Sequence, residues 1–188
     1  MKKKSILIFG ATGLASLTSY SLSHDAGCTV VAHVVDDEFA TSDLFEGLPL
    51  ISLSQVQALY PPEACEIVIP LGYTRMNALR QAQCEKFKAL GYHLQQYVSS
   101  QATVWPGCEI KENVLIFENC IVQPHASVGS NVILRAGTNI GHHSTIGDHT
   151  FVASGVITGG EVSIGQHCFI GLGAILRDGV KIADRTFI

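Results

Sequence analysis

The chain has 188 residues, of which 47% are hydrophobic, and its formal net charge is -4 at pH 7. A chain of this length and apolar content buries one or two substantial cores, so it is globular. The sequence shows no Lys/Arg run beyond Lys2–Lys4 and no apolar run long enough to span a bilayer, which argues against nucleic-acid binding and against a membrane span.

The chain begins with MKKKSILIFGATGLASL, in which positive residues precede an apolar run, as they do in a signal peptide. No small-x-small cleavage site follows, and SILIFG before a Gly turn is typical of a buried strand. The DAGC stretch at 25–28 differs from a lipoprotein box at Asp25, where an apolar residue is needed. Six cysteines without a CxxC pair indicate reduced thiols, so we expect a cytoplasmic protein.

Residues 1–98 alternate between strand-like and helix-like segments and are predicted to form one domain. In chain order they are a strand SILIFG, a helix ATGLASLTSYSLSH, a strand CTVVAHVVDD, a loop EGLPLIS, a strand EIVIPLG, a helix from about Thr74 to Leu90, and a strand HLQQYVS. This order predicts a short βαβ domain.

Two groups in this domain have the composition of a nucleotide site. Gly10, Thr12 and Gly13 form a turn at a helix N-terminus, where backbone amides can hold a phosphate. Asp36 and Asp37 end the second strand, where a carboxylate can accept hydrogen bonds from a ribose or base. We interpret these five residues as ligand-binding residues.

After residue 98 the sequence repeats with a period of six. In the series that starts at Val104 and takes every sixth residue to Ile188, fourteen of fifteen members are Ile, Val or Leu, and the exception is Thr158. A small or β-branched residue precedes each member by two positions, Cys108, Cys120 and Cys168 among them. This pattern predicts a parallel β-helix over residues 99–188 with three hexads per coil, and it places those cysteines in the core.

An eighteen-residue coil also stacks the polar turn residues. Partners in successive coils lie about 4.8 Å apart, the spacing of strands. His125, His143 and Glu161 then form one ladder, and His149 and His167 form another on a different face.

The stretch NIGHHSTIGDHTFVASGVITGGEVSIGQHCFIGLGAIL resembles the hexapeptide-repeat sugar acyltransferases of the sialic acid O-acetyltransferase and bacillosamine N-acetyltransferase type. The resemblance covers nearly the whole chain. It implies a Rossmann-like domain at 1–98, a left-handed parallel β-helix at 99–188, acetyl-CoA as acyl donor, and a homotrimer with active sites between subunits. Left-handedness rests on the resemblance alone, because the general crossover rule favours right-handed connections.

For the N-terminal domain the resemblance implies binding of a nucleotide-linked sugar, whereas the Gly motif alone is also compatible with a dinucleotide. The chain is too short to supply a separate hydride-acceptor domain, which favours the sugar. Relatives often carry a His in the Gly turn where this chain has Leu14.

His142 aligns with the catalytic histidine of the family. An imidazole suits removal of a proton from an attacking amine or hydroxyl near neutral pH. His142 is predicted to lie between Pro124 and Gly160 of the adjacent coils, which leaves room for a ligand. The alternative is a surface histidine on a turn.

In the family an acidic residue commonly follows that histidine, and here the position is His143. We hypothesise that Glu161, one coil above His143, replaces the missing carboxylate by hydrogen bonding to His143 or His142. Arg135 and Phe151 stand where the bacillosamine enzymes have an Asn and a His.

The family lays acetyl-CoA along the groove between neighbouring β-helices. Gly159 and Gly160 are candidates for binding the thioester oxygen through a backbone amide, and Gly171 and Gly173 for passage of the pantetheine arm. Each is also an ordinary turn glycine.

Two further features have alternative interpretations. The ladder of His149 and His167 is either a solvated turn face or part of a zinc site like that of the β-helical carbonic anhydrases. The chain stops at Ile188, on a hexad position, so either the sequence is truncated or another chain covers the strand edge.

These observations predict an acetyl-CoA-dependent sugar acetyltransferase without a metal. The alternatives are a β-helical zinc hydratase and a non-catalytic nucleotide-sugar-binding protein.

Overall fold

The computed structural model describes residues 5–188. The positive residues Lys2–Lys4, considered above as the start of a signal-like segment, lie outside this range. The chain divides into two compact units, one reaching to Leu71 and including Ala82–Gln95, the other made of Gly72–Gln81 and Gln96–Ile188. Within residues 5–188 no helix has both the length and the apolar content needed to cross a membrane.

The first unit contains a five-stranded sheet with the order β3-β4-β2-β1-β5. Its elements are β1 (Ser5–Phe9), α1 (Gly13–His24), β2 (Thr29–Val35), β3 (Leu44–Phe45), β4 (Leu48–Ser52), α2 (Val56–Leu59), β5 (Glu66–Val68) and α3 (Ala78–Ala89), of which the first residues of α3 belong to the second unit. Strand β1 pairs in parallel with β2 and β5, β2 pairs in parallel with β4, and β3 pairs antiparallel with β4. Ile6, Leu7 and Ile8 are fully buried, as a central strand requires.

Three predicted elements of this half differ in the structure. The predicted loop EGLPLIS contains β4, because a tight turn at Glu46 and Gly47, both with positive φ, folds the chain back as a hairpin. The predicted helix starts at Ala78 rather than Thr74, because Arg75, Met76 and Asn77 all have positive φ. The predicted strand HLQQYVS is divided between Leu94, which bridges Ile67, and a strand of the second unit.

The second unit is built from two-residue strands that form three parallel five-stranded sheets among the described residues. The first face contains β6 (Tyr97–Val98), β9 (Leu115–Ile116), β12 (Ile133–Leu134), β15 (Phe151–Val152) and β18 (Phe169–Ile170). The second contains β7 (Thr103–Val104), β10 (Ile121–Val122), β13 (Asn139–Ile140), β16 (Ile157–Thr158) and β19 (Ile175–Leu176). The third contains β8 (Glu109–Ile110), β11 (Ser127–Val128), β14 (Thr145–Ile146), β17 (Ser163–Ile164) and β20 (Lys181–Ile182). Paired residues such as Ile133 and Phe151 are one eighteen-residue coil apart, which is consistent with the predicted left-handed β-helix.

The residues of the hexad series fill the interior of the β-helix, between its three faces. Its members from Ile116 to Ile170 are buried, and so are Cys120 and Cys168 at the small positions. Burial raises the pKa of both thiols, so these cysteines are neutral side chains that pack and donate to carbonyl oxygens. The predicted packing role of these two cysteines agrees with this environment.

Each turn between two faces of the β-helix forms a corner and needs one residue in the left-handed backbone conformation. The sequence often supplies a residue other than glycine there. His125, His143 and Glu161 have φ values of 63°, 56° and 59°, and His149 and His167 have φ values of 63° and 58°. Both predicted ladders therefore lie at equivalent left-handed positions of their turns.

Candidate functional site

One corner of the β-helix presents His142 on the turn 141–144, between β13 and β14. The His142 side chain is exposed, and its backbone amide donates to Oε1 of Gln123 at 3.0 Å. Nδ1 of His142 lies 3.1 Å from Nδ1 of His143, and the two rings meet edge to face. The hydrogen bonds of His142 within residues 5–188 involve its main chain and Nδ1, and none involves Nε2.

The ring of His142 lies against Gly160 of the next coil. A Cβ at Gly160 would come within 2.5 Å of His142 Nε2, so no larger residue fits beneath this ring. The Gly160 amide donates to Oδ1 of Asp178 at 2.7 Å, which fixes the turn on the far side. The space predicted between Pro124 and Gly160 is therefore occupied by the imidazole itself.

Glu161 takes its predicted place in the ladder but does not make the predicted hydrogen bond. Its backbone amide donates to the His142 carbonyl at 2.8 Å, and the rings of His125 and His143 stack below it at 4.7 Å. In the part of the chain that is described, the Glu161 carboxylate bonds to neither histidine. The group that contacts Nδ1 of His142 is the neighbouring imidazole, whereas a carboxylate was predicted.

The four glycines predicted to contact acetyl-CoA all donate their amides within the chain. Gly159 donates to the Leu176 carbonyl and Gly160 to Asp178, at 2.8 and 2.7 Å. Gly171 and Gly173 donate to the carbonyls of Ile188 and Ser154, at 2.8 and 3.0 Å. A role for the Gly159 or Gly160 amide at the thioester oxygen, which stays a prediction, would require one of these bonds to be exchanged.

The corner with His149 and His167 is built differently. Nδ1 of His149 lies 2.9 Å from Nδ2 of Asn131, and Nδ1 of His167 lies 3.1 Å from the Met76 carbonyl. His167 is only 5% exposed, so the interpretation of a solvated turn face is wrong for this residue. Among residues 5–188 no group of three or more His, Cys, Asp or Glu side chains is placed to hold a metal ion.

The partner of this corner is the segment 72–81, which was predicted to belong to the N-terminal domain but is part of the second unit. Arg80 is fully buried and donates to the carbonyls of Asn131, His149 and Gly72 at 3.2, 2.8 and 3.1 Å. Asn77 donates to the Cys168 carbonyl at 2.9 Å. Nothing in the hexad pattern reveals this segment, since its contacts depend on chain folding distant from the repeat.

Aromatic residues of the first face complete the contact with this segment. Tyr73 lies 4.1 Å from the ring of Phe169 and 5.6 Å from that of Phe151, centroid to centroid. Phe151 therefore packs against aromatic neighbours. Arg135 lies over the ring of Phe117 at 4.8 Å, where burial lowers its pKa.

The predicted nucleotide residues of the first unit fall into two places. Gly10 has a φ of 113° that only glycine adopts readily, and the Thr12 hydroxyl accepts from the Ala15 amide at 3.3 Å as the N-cap of α1, which begins at Gly13. At the end of β2, Asp36 accepts from Gln83 at 3.0 Å and forms an ion pair with Lys86 at 3.2 Å. Asp37 accepts from the Ser54 amide at 2.9 Å.

Two further groups at the Gly turn were not predicted. His33 is fully buried and its Nδ1 lies 2.8 Å from the Gly10 carbonyl, which implies an N–H donor at that nitrogen. Burial lowers the pKa of His33. The Glu46 carboxylate accepts from the Ser16 hydroxyl at 2.6 Å, in the first turns of α1. Both residues become neighbours of the turn only through sheet pairing, so periodicity cannot identify them.

Comparison with known proteins identifies a matching family and solved structures with a similar fold. A family model described as the GMPPB C-terminal domain matches residues 93–188. No curated protein matches significantly. The acetyltransferase domain of PglB from Neisseria gonorrhoeae is 22% identical, with a TM-score of 0.80 over 99% of this chain and 91% of that chain.

Two other solved structures are similar over most of their length. PerB from Caulobacter crescentus, in complex with CoA and GDP-perosamine, is 24% identical, with a TM-score of 0.87 over 97% of this chain and 84% of that chain. WeeI from Acinetobacter baumannii is 20% identical, with a TM-score of 0.72 over 92% and 80%. At these identities the likeness concerns the fold, and it confirms the resemblance to hexapeptide-repeat sugar acyltransferases at that level. With half of its length matched by the family model, the chain belongs to the GMPPB C-terminal domain family.

Proposed function

We propose that this protein transfers an acetyl group from acetyl-CoA to an amino or hydroxyl group of a nucleotide-linked sugar, with His142 as general base. The observation that carries the proposal is the state of His142: an exposed imidazole, held at its amide and at Nδ1, with Nε2 unbonded within residues 5–188. A base must be fixed in place and accessible to the proton that it removes.

The contact between the two histidines supports Nε2 of His142 as the reacting nitrogen. If the Nδ1 proton of His142 is donated to Nδ1 of His143, Nε2 of His142 carries a lone pair and can accept a proton from the attacking nucleophile. His143 then stabilises the resulting imidazolium as a neutral acceptor. This contribution is smaller than that of a carboxylate, since hydrogen bonds between ions of opposite charge are the stronger ones.

Acetyl-CoA as donor is supported by the CoA bound in the PerB structure and by the glycines beside His142. In the proposed step the nucleophile gives its proton to His142 as it attacks the thioester carbonyl, the C–S bond breaks, and the departing CoA thiolate takes that proton from the imidazolium and leaves as a thiol. A backbone amide of Gly159 or Gly160 would stabilise the oxyanion, once a ligand displaces its present acceptor.

For the first unit we propose a Rossmann-like nucleotide-sugar-binding role, through Gly10, Thr12 and Gly13 with Asp36 and Asp37. Support comes from the parallel order of β4, β2, β1 and β5 and from α1, which starts directly after the Gly turn. The GDP-perosamine bound to PerB indicates the class of acceptor to test first.

We infer a homotrimer in which the second face of the β-helix is covered by a neighbouring copy. Ile157 and Ile175 of that face are 45% and 76% exposed, whereas Ser127 and Thr145 occupy the corresponding outward positions of the third face. Exposed aliphatic side chains in a row favour a protein interface. Light scattering with an Ile157→Asp, Ile175→Asp variant tests this, since the double variant is expected to be monomeric.

We place the reaction in the bacterial cytoplasm. All six cysteines are thiols outside any disulfide, and Cys65, Cys84, Cys120 and Cys168 are buried, which fits a reducing compartment.

The test of the proposed function is release of the CoA thiol, followed with a colorimetric thiol reagent, across a panel of nucleotide-linked amino and deoxy sugars. We expect release that requires both a sugar and His142. Mass spectrometry of the product then distinguishes N- from O-acetylation. The absence of release with every sugar from a folded protein would reject the proposal in favour of a binding role.

A further inference from the structure

The single exception in the hexad series lies beside the candidate base. Thr158 occupies a position that is aliphatic in the other fourteen hexads, and it is 4% exposed. A buried hydroxyl at an aliphatic core position is costly unless it makes a hydrogen bond. Oγ1 of Thr158 does so by accepting from the Gly141 amide at 2.8 Å.

This bond replaces a regular rung of the β-helix. At equivalent turns the amide donates to the main-chain carbonyl seventeen residues later: Gln123 to Ile140 at 3.0 Å, and Gly159 to Leu176 at 2.8 Å. The corresponding bond from Gly141 to the Thr158 carbonyl is not formed in the described coils. In agreement, β13 and β16 share only the pair Asn139 and Ile157, whereas β16 and β19 share two pairs.

The interrupted rung is directly adjacent to His142. Gly141 directly precedes His142 in the chain, and the next amide, that of His142, also donates to a side chain, Oε1 of Gln123. The Gly141 amide points to the Thr158 hydroxyl and not to the Thr158 carbonyl. This exchange of acceptor moves the Gly141 peptide and therefore changes the direction in which His142 leaves the strand. We infer that Thr158 is a positioning residue, whose hydroxyl sets the orientation of His142 for the acyl transfer proposed above.

The inference predicts an unusual combination of effects for Thr158→Val. Valine has nearly the same shape, removes the hydroxyl from the core and allows Gly141 to return to the regular carbonyl rung. We expect the melting temperature to stay the same or to rise, while kcat falls by about tenfold to a hundredfold, since small displacements of a reacting group have effects of this size. KM for both substrates should change by less than about twofold, because the Thr158 side chain is buried and acts through Gly141.

Two variants control the experiment. Thr158→Ser keeps Oγ and should retain at least about half of the wild-type kcat. Thr150→Val removes a fully buried hydroxyl of another corner, which donates to the Gly165 carbonyl at 2.9 Å and accepts from the Cys168 amide at 3.0 Å, and should leave kcat unchanged. Equal loss of kcat in the Thr158→Val and Thr150→Val variants, or no loss in either, would overturn the inference.

Imidazole resonances provide a readout that is independent of activity. In ¹H–¹³C spectra of His-labelled protein, Thr158→Val should shift the ring signals of His142, identified from a His142→Gln sample, and Thr150→Val should not. If wild-type protein releases no thiol with any sugar, the proposed function fails while these spectra still decide whether Thr158 positions His142. Unchanged His142 signals in Thr158→Val would overturn the inference whatever the activity.

Discussion

Two corners of the same β-helix carry stacked histidines and use them in opposite ways. At one corner His149 and His167 bond through Nδ1 to Asn131 and Met76, and His167 is buried. At the other, His142 and His143 are exposed and bond through Nδ1 to each other. Histidines in turns of one β-helix are thus held by chain groups at the first corner and exposed to solvent at the second.

The largest expected effect is that of His142→Ala on turnover. Loss of a general base lowers kcat by about 10² to 10⁴-fold, and the melting temperature should barely change because the side chain is exposed. The measurement is thiol release from acetyl-CoA at saturating acceptor, together with thermal unfolding. His125→Ala, an exposed histidine of the adjacent coil, is the matched control and should keep kcat within about twofold. A similar loss in both variants would show that the corner, and not His142, is required.

The opposite corner should respond in stability rather than in rate. Arg80→Met removes a buried guanidinium that donates to carbonyls of Asn131, His149 and Gly72. Unpaired buried carbonyls are expected to lower the free energy of unfolding by about 2 to 4 kcal/mol. Chemical denaturation measures this change, and kcat is compared below the unfolding transition. Loss of turnover at unchanged stability would contradict a purely structural role for the corner of His149 and His167.

Contact between His142 and Gly160 allows a finer test. Gly160→Ala places a Cβ within 2.5 Å of His142 Nε2, so the ring must move. We expect a loss of kcat of about 10²-fold, with a loss of stability of about 1 to 3 kcal/mol from overpacking. Gly72→Ala is the control, because a Cβ there meets no atom within 4 Å. Full activity in Gly160→Ala would mean that the observed ring position is not the reactive one.

The repeat explains why so much of the β-helix was predictable. One aliphatic residue in six defines the interior, and the fixed coil length then determines every ladder, including that of His125, His143 and Glu161. The candidate base also followed from the sequence, since His142 could be aligned on a motif. The sequence shows Thr158 as the exception in the hexad series. It does not show whether the Gly141 amide donates to the Thr158 hydroxyl or to the Thr158 carbonyl.

Features outside the repeat were not predictable in this way. The segment with Tyr73 and Arg80 contacts the β-helix through bonds to main-chain carbonyls, which leave no trace in side-chain patterns. The absence of a bond from Glu161 to the histidines has a similar origin, because register places residues one above another without determining where a flexible carboxylate points. In the first unit, Glu46 reaches Ser16 because β3 and β4 form a hairpin, and the sequence predicted a loop in that region.

His33 of the first unit is a further buried histidine, and its contribution to the free energy of unfolding depends on pH. Its pKa is lowered from the ordinary value near 6.5, first by burial, which opposes the charged form, although the Gly10 carbonyl favours it. The unfolded chain therefore binds a proton at higher pH than the folded one, and the free energy of unfolding must fall as the pH drops below about 6.5. For one proton the limit is about 1.4 kcal/mol per pH unit. Urea unfolding at pH 7.5 and 5.5 should show a larger decrease for wild type than for His33→Gln, which cannot titrate; equal decreases would assign the pH dependence to other groups.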